Sequence, residues 1–506
     1  MSALMPRRDR IGKAEANTGL EAAIEAVRTG PQGPDILAVF DFGGTVVHGF
    51  TPQSAARRLL RRPDGRAALA DTLLTGIRGA RAEGEYERFL QRIMSTWAGH
   101  SELELAELGS DLFRHTIYGH LYPEAWRLIR AHEAAGHTLV LATCLSRFQV
   151  EPAAAELGFA HVLYTPMAVH DDLLTGHVEG KPLWRNGKAE AVHRFAAVRG
   201  VELSRGYAYA DAATDVPLLE AAGHATAVNP DPGMAIQARD RGWPMLTFRP
   251  RESAGALDIA RTAAGFAGLL GGAAAGVAVA SRTGGHSEAP PSGTASRTGR
   301  QRGMADSMIT HAAAATLRTT GVRMRVTGAE YARAPRPAVF VFNHQSQFDM
   351  VVLAAVLGAG FTGIVKKEVT ANPVFGPLLR FAGATFIDRS DSAGARAALA
   401  PVVQTLRSGL SIVIAPEGTR SLTPRVGPFK KGAFHIAQQA GVPVVPVVIR
   451  NAGEIAWRNS AIVRKGTVDV AVLPPIDVSG WNAADMTDEV ERVRELFVRT
   501  LVDWPG

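Results

Sequence analysis

The residues best suited to chemistry in this 506-residue chain lie in its last third, in the run Asn343-His344-Gln345-Ser346-Gln347-Phe348-Asp349. An imidazole and a carboxylate stand five positions apart, just beyond an apolar strand, Ala338 to Phe342. A carboxylate fixes the tautomer and orientation of an imidazole. The imidazole then takes a proton from an alcohol as that alcohol attacks a carbonyl. No serine or cysteine nucleophile is required if the substrate itself brings the hydroxyl. Such a pair is a weak signal alone, and the order of the downstream blocks strengthens it. Phe386-Ile387-Asp388-Arg389 comes next. An apolar strand, Ile412 to Ala415, then runs into Pro416-Glu417-Gly418-Thr419-Arg420, and Val442-Pro443-Val444-Val445-Pro446-Val447 comes last. Arg389 and Arg420 carry planar, permanently charged forks that suit a phosphate. Gly418 lets the backbone approach a ligand closely. Lys430 and Lys431 either steer anionic lipid or solvate a loop.

A second set occupies the first half. Asp41 ends the apolar run Ile36 to Phe40 and opens Asp-Phe-Gly-Gly-Thr, 41–45. Thr143 ends the run Thr138 to Ala142, and Lys188 follows Gly187 at the head of a helical stretch. Asp211 follows Gly206 to Ala210 and opens a segment that closes on Asp215. Continuous apolar runs of this length read as parallel strands buried on both faces. Strand–helix alternation to about Phe248 predicts a parallel sheet with covering helices. A helical, highly charged stretch over 50–135 interrupts it early.

Residues 304–506 resemble the glycerophospholipid acyltransferase family, which includes the lysophosphatidic acid acyltransferases. The resemblance rests on all four blocks in order: NHxxxxD, a FIDR-type block, EGTR and a VPVxPV-type block. It implies an α/β acyltransferase domain in which His344 is the general base and Asp349 its orienting partner. It assigns Arg389 and the Glu417-Gly418-Thr419-Arg420 block to a glycerol-phosphate acceptor, with Glu417 fixing the arginine geometry or a substrate hydroxyl. Val442 to Val447 reads as a structural strand. The implied reaction moves an acyl group from a thioester, acyl-CoA or acyl carrier protein, to lysophosphatidic acid to give phosphatidic acid. Another lysophospholipid acceptor stays open.

Residues 35–250 resemble the haloacid dehalogenase-like superfamily, nearest its phosphoserine phosphatase branch. This implies a Rossmann-like α/β domain with a helical cap at about 46–135. Asp41 would be the nucleophile that forms an aspartyl-phosphate, and Thr143 and Lys188 would hold the phosphoryl oxygens. Asp41, the backbone carbonyl of Gly43, Asp211 and Asp215 would hold Mg²⁺. One position departs from the pattern. Gly43 stands where the family carries a second Asp, its general acid/base. Losing a positioned acid/base costs typically ~10²–10⁴-fold, so weak or absent phosphomonoesterase activity is expected. The rival readings are an active Mg²⁺-dependent phosphatase of phosphoserine or a lipid phosphate, and a module that senses a phosphorylated ligand.

The length requires several domains. The chain carries a net +7, and the positive excess lies after residue 281. That suits an anionic membrane surface or anionic lipid substrates; nucleic acid is not expected, because no nucleic-acid-binding motif is present. The single cysteine, Cys144, excludes an internal disulfide and fits a reducing compartment. Met1 to Gly30 has no apolar signal core. Together these predict a membrane-associated location on the cytoplasmic side. Residues 1–34 read as a mobile leader with a short helix around Leu20 to Val27. Residues 251–280 read as an apolar helix, uncharged from 263 to 280 and with Gly268, Gly272 and Gly276 at every fourth position. Such a helix is either membrane-inserted or packed on protein, a second copy of the chain included. Residues 281–303, rich in Ser, Thr, Gly and Arg, read as a flexible linker. The remaining histidines are scattered, without metal-ligand spacing.

Overall fold

In the computed structural model, residues 13–48, 91, 94–95, 97–115, 117–249, 255–283, 299–333, 335–366, 385–387, 395–421, 423–456, 458, 460, 462–482 and 484–505 are described. The chain divides into two compact units, Met1–Glu252 and Ser253–Gly506.

The first unit runs α1 (Lys13–Thr29), β1 (Leu37–Phe40), α2 (Glu102–His115), α3 (Pro123–Ala134), β2 (Thr138–Ala142), α4 (Arg147–Leu157), β3 (His161–Leu163), β4 (Met167–His170), β5 (Leu173–Val178), α5 (Asn186–Arg199), β6 (Tyr207–Ala210), α6 (Val216–Glu220), β7 (His224–Val228), α7 (Pro232–Arg241) and β8 (Met245–Leu246). Its main sheet is parallel throughout, in the order β3-β2-β1-β6-β7-β8. The order reverses between β1 and β6, and the crevice beyond the carboxyl ends at such a switch point is where open α/β sheets bind ligands. Asp41 and Asp211 follow those two strands. β1, β2 and β6 are buried at every position, as their uninterrupted apolar runs require. A small satellite core of Met94, Trp97, Leu105, Phe148 and Leu174 gathers α2, α4 and the antiparallel β4–β5 pair.

Two expected boundaries move. The leader is not a free arm from residue 13 onward. α1 packs against α3 and β8, Leu20 and Val27 are fully buried, and Arg127 donates to Glu21 at 2.6 Å. The helical insertion expected through 135 stops earlier, because α3 packs on β2 as a layer of the main sheet. Residues 49–90, the bulk of the expected cap, lie outside the described residues.

This unit also holds a buried histidine pair, His132 on α3 and His137 just before β2. His137 Nε2 donates to the Pro31 carbonyl at 2.7 Å, so its Nδ1 accepts from His132 Nδ1 at 2.8 Å. His132 Nε2 in turn accepts from the Tyr209 hydroxyl at 2.8 Å. Every proton in this chain is spoken for, and charging either ring would force the Tyr209 hydroxyl to turn from donor to acceptor. Burial pushes both imidazoles below their ordinary value, and each His132 charge would also meet His137. A folded pKa below the unfolded one means that the unfolded chain takes up protons first as pH falls. Stability of this unit should therefore be intact above about pH 6.5 and be lost progressively below it. Amide-exchange protection in β1 and β2, measured at pH 7.5 and 5.5, checks this. Equal protection at both would contradict it.

The second unit runs α8 (Ala256–Thr283), α9 (Gly299–Thr320), β9 (Val322–Thr327), β10 (Val339–Phe342), α10 (Asp349–Leu357), β11 (Phe361–Lys366), β12 (Thr385–Ile387), α11 (Ala395–Arg407), β13 (Ser411–Ile414), α12 (Gly432–Ala440), β14 (Val444–Ile449), α13 (Ala452–Ile455), β15 (Gly466–Val472) and α14 (Met486–Val502). The sheet order is β12-β11-β13-β10-β14-β15-β9, parallel except for β14–β15. β10 sits at the centre, and its alternation divides the interior. Phe340 and Phe342 enter the core shared with α9 and α10, whereas Val339 and Val341 enter the core shared with α11, α12 and α14.

The apolar stretch is part of α8. Among the described residues no helix is long and apolar enough to cross a membrane. Ala and Gly dominate the uncharged segment, and both add little hydrophobicity per turn. α8 packs against α9. Thr316 Oγ1 donates to the Gly265 carbonyl at 3.3 Å, and Val463 donates its N–H to Thr262 Oγ1 at 3.0 Å. The expected linker is shorter than its composition suggests, since α8 continues to Thr283 and α9 begins at Gly299. Residues 284–298 lie outside the described residues.

Candidate active sites

His344 and Glu417 leave neighbouring strands in register. Val341 on β10 pairs with Ile414 on β13, so each residue stands three positions beyond the same rung. The two are 73 positions apart in sequence, yet the His344 N–H donates to Glu417 Oε1 at 3.0 Å.

The His344 loop is built on Asp349. His344 Nδ1 donates to Asp349 Oδ2 at 2.8 Å, and the same oxygen accepts the N–H groups of Gln345 at 2.8 Å and Ser346 at 2.9 Å. Asp349 is fully buried as the first residue of α10, where a helix N-terminus favours a negative charge. The imidazole keeps 21% of its side-chain surface exposed, so its Nε2 edge is the one offered to a substrate. Asn343 supplies a clip that the sequence pattern did not suggest. It donates Nδ2 to the Ile449 carbonyl and accepts the Ile449 N–H, both at 2.8 Å. This ties the end of β10 to the end of β14. An Asn at the end of one buried strand, level with the end of its neighbour, is the signal that could have found it.

Glu417 is committed inside the protein. Besides His344 N–H it accepts from Ser421 Oγ and, at 2.9 Å, from the Gly427 N–H, while the Ser421 N–H donates to the His344 carbonyl at 2.7 Å. Burial raises its pKa, opposed by these hydrogen bonds. It therefore joins the His344 loop to Ser421 and Gly427, and three protein donors already occupy its two oxygens. Glu417→Gln places an amide N–H₂ among donors. It should lower kcat on the order of 10-fold or more through misplacement of His344 with the acceptor KM unmoved. A steady-state comparison in which only KM rises would instead place Glu417 on the substrate.

Gly418 sits at φ +74°, where a side chain would be strained and its Cβ would meet Lys430 Nζ at 2.9 Å. Lys430 thus lies over this turn. Thr419 is exposed and Arg420 half-buried. Burial and the nearby Arg458 lower the Arg420 pKa. Phe386 and Ile387 belong to β12, whereas Arg389 lies outside the described residues. Val442 to Val447 leads into β14, a wholly buried central strand.

In the first unit, Lys188 Nζ lies 2.7 Å from Asp41 Oδ1 and 2.7 Å from Asp215 Oδ1, and all three side chains are buried. Carboxylate oxygens of Asp41, Asp211 and Asp215 lie within 4.8 Å of one another; among the described residues this is the group spaced to hold a metal ion. Burial pushes Asp41 up to about 6, with Lys188 opposing and Asp215 adding to the rise. Burial, then Asp41 and Asp215, push Asp211 up to about 8. Lys188 is held charged by Asp215 and Asp41 against the effect of burial. Thr143 is buried at the end of β2 beside β1, its Oγ1 accepting from the Leu145 N–H at 3.2 Å. Gly44 is the glycine this site requires. Its φ is +84°, and a Cβ there would stand 1.9 Å from Asp211 Oδ2. Asn229 Nδ2 fastens the Gly44 carbonyl at 3.1 Å. Three crowded hard-oxygen carboxylates beside a tight backbone turn fit a small divalent cation such as Mg²⁺.

The family model of haloacid dehalogenase-like hydrolases matches residues 38–220, and that of acyltransferases matches residues 323–450. The 1-acyl-sn-glycerol-3-phosphate acyltransferase of Limnanthes douglasii is 33% identical over 183 residues, covering 36% of this chain and 64% of that protein. The human 1-acyl-sn-glycerol-3-phosphate acyltransferase alpha is 35% identical over 175 residues, covering 34% and 62%. The chain thus spans less than two thirds of the length of these relatives. The crystal structure of the 1-acyl-sn-glycerophosphate acyltransferase PlsC from Thermotoga maritima is 26% identical, covering 40% of this chain and 81% of that one, with a TM-score of 0.36. This chain therefore joins a haloacid dehalogenase-like hydrolase domain to a domain of the acyltransferase family.

Proposed function

We propose that the C-terminal unit transfers an acyl group from a thioester, acyl-CoA or acyl carrier protein, to the free hydroxyl of lysophosphatidic acid, giving phosphatidic acid. The observation that carries this reading is the His344–Asp349 pair, with its carboxylate oxygen anchored by two backbone N–H groups. Asp349 holds the proton on Nδ1, which leaves Nε2 free to accept one. Nε2 takes the hydroxyl proton as the acceptor oxygen bonds to the thioester carbonyl carbon. The tetrahedral intermediate then expels the thiolate, and the proton on Nε2 passes to it. Buried Asp349 stabilises the imidazolium in between. Arg420, with Arg389 expected beside it, holds the acceptor phosphate. The basic charge of this half favours an anionic, cytoplasmic membrane surface as the place where lipid enters.

The N-terminal unit keeps a nucleophile, Asp41, and a phosphate-holding pair, Thr143 and Lys188. Asp41, Asp211, Asp215 and the Gly43 carbonyl would hold Mg²⁺, which neutralises phosphoryl oxygens when bound. With Gly43 in place of an acid, this domain turns over phosphomonoesters weakly or not at all. The deciding experiment is transfer of labelled acyl groups to lysophosphatidic acid by the full chain in liposomes, with each donor. Phosphatidic acid formed in proportion to enzyme supports the reading. No product with either donor sinks it.

A further inference from the structure

Arg458 lies outside every block that singles out the acyltransferase-like half. Its Nη1 donates to the Arg420 carbonyl at 2.7 Å, and Arg420 Nη1 donates to the Arg458 carbonyl at 3.0 Å. The two side chains therefore cross, each braced by the other's backbone. The pair is also tied to the loop of the base. Gln347 Nε2 donates to the same Arg458 carbonyl at 3.4 Å, and Ser421, next to Arg420, donates to the His344 carbonyl. Both arginines are half-buried. Among the described residues no carboxylate forms an ion pair with either guanidinium; Asp349, whose charge acts on Arg420, already serves His344. Two like charges brought together without a counter-ion are costly, and burial together with Arg458 makes Arg420 a weaker base.

Each guanidinium spends one of its five N–H donors on this bracing, and among the described residues the other four have no hydrogen-bond acceptor. What the arrangement lacks is a dianion with several oxygens, and a phosphomonoester has two charges and three terminal oxygens that accept planar forks side by side. A phosphodiester headgroup, with one charge and two terminal oxygens, would leave half of the pair uncompensated. We infer that Arg458 forms with Arg420 a two-arginine seat for a phosphomonoester dianion, which selects the acceptor headgroup. The identification of that dianion with lysophosphatidic acid rests on the acyl-transfer reading. The seat itself rests on the crossed arginines.

The test compares full-length wild type, Arg458→Gln and Arg458→Lys. Glutamine keeps an N–H donor for the Arg420 carbonyl and loses the charge. Lysine keeps the charge and loses the fork. Hydrogen bonds to a charged group set the expected scale, so the KM for lysophosphatidic acid should rise roughly 10–100-fold in Arg458→Gln. The kcat should stay close to wild type, and Arg458→Lys should fall between. Titration with glycerol 3-phosphate, read by calorimetry, should show weakened binding in the same order. Any binding at the Asp41 site is common to all three proteins and cancels. If the wild type transfers no acyl group, the titration still decides. Binding that Arg458→Gln loses supports the seat, and equal or absent binding across the series overturns it. An unchanged KM in Arg458→Gln overturns it as well, leaving Arg458 as a brace. Should Arg458→Gln not fold, an Arg458→Lys protein with wild-type KM and wild-type affinity overturns the seat equally.

Discussion

Removing the imidazole of His344 should lower kcat for acyl transfer by ~10²–10⁴-fold, the span over which a positioned general base contributes. His344→Ala leaves the rest of the loop in place, because four links that shape it run through backbone groups: Gln345 and Ser346 N–H to Asp349, His344 N–H to Glu417, and Ser421 N–H to the His344 carbonyl. The variant should therefore fold and bind acceptor as the wild type does. Asp349 separates the two roles further. Asp349→Asn keeps an oxygen for the two N–H groups but loses the charge that stabilises an imidazolium, so kcat falls while stability changes little. Asp349→Ala orphans two buried N–H groups, at about 1–3 kcal/mol each, and should lose stability as well as activity. Steady-state kinetics and thermal unfolding on the three variants check the pattern. A His344→Ala protein that keeps more than a tenth of wild-type kcat would remove His344 from the chemistry.

The second large effect is a gain. Wild-type protein with Mg²⁺ should hydrolyse phosphoserine or an aryl phosphate far below the ordinary enzymatic range of kcat, about 1–10³ s⁻¹. Gly43→Asp should raise that rate by ~10²-fold or more by supplying the missing proton donor. The substitution is sterically reasonable at the backbone, since Gly43, unlike Gly44, is not among the positive-φ glycines. The surrounding machinery is assembled: Lys188 bridges Asp41 and Asp215, and Asp211 completes the acidic group. Adding Asp41→Asn to Gly43→Asp should abolish the gain, which shows that the activity belongs to this site rather than to a contaminant. An ordinary rate in the wild type would mean that another group donates the proton. A flat response to Gly43→Asp would mean that the geometry at this position does not reach the leaving group.

The two α/β halves are legible in the chain itself, because parallel strands buried on both faces leave uninterrupted apolar runs. Chemistry at the ends of such strands is then visible as a polar residue where the run stops, as at Asp41, Thr143, Asp211 and His344. The proximity of His344 and Asp349 is legible too, since five residues at the turn from strand to helix constrain both ends. Whatever depends on strand register, or on which surface a helix meets, emerges only on folding. The pairing of Val341 with Ile414 brings Glu417 to the His344 N–H, 73 positions away in sequence. Arg420 and Arg458 are 38 positions apart, and they cross only because the fold brings their two loops together. Gly44 is required by Asp211, which lies far along the chain. α1 and α8 read as a free leader and a membrane candidate from their own composition. Each became a packed helix because its partners, α3 and α9, are specified elsewhere in the sequence. Local patterns encode the period and the ends of an element, whereas contacts between distant elements follow from packing that no short window contains.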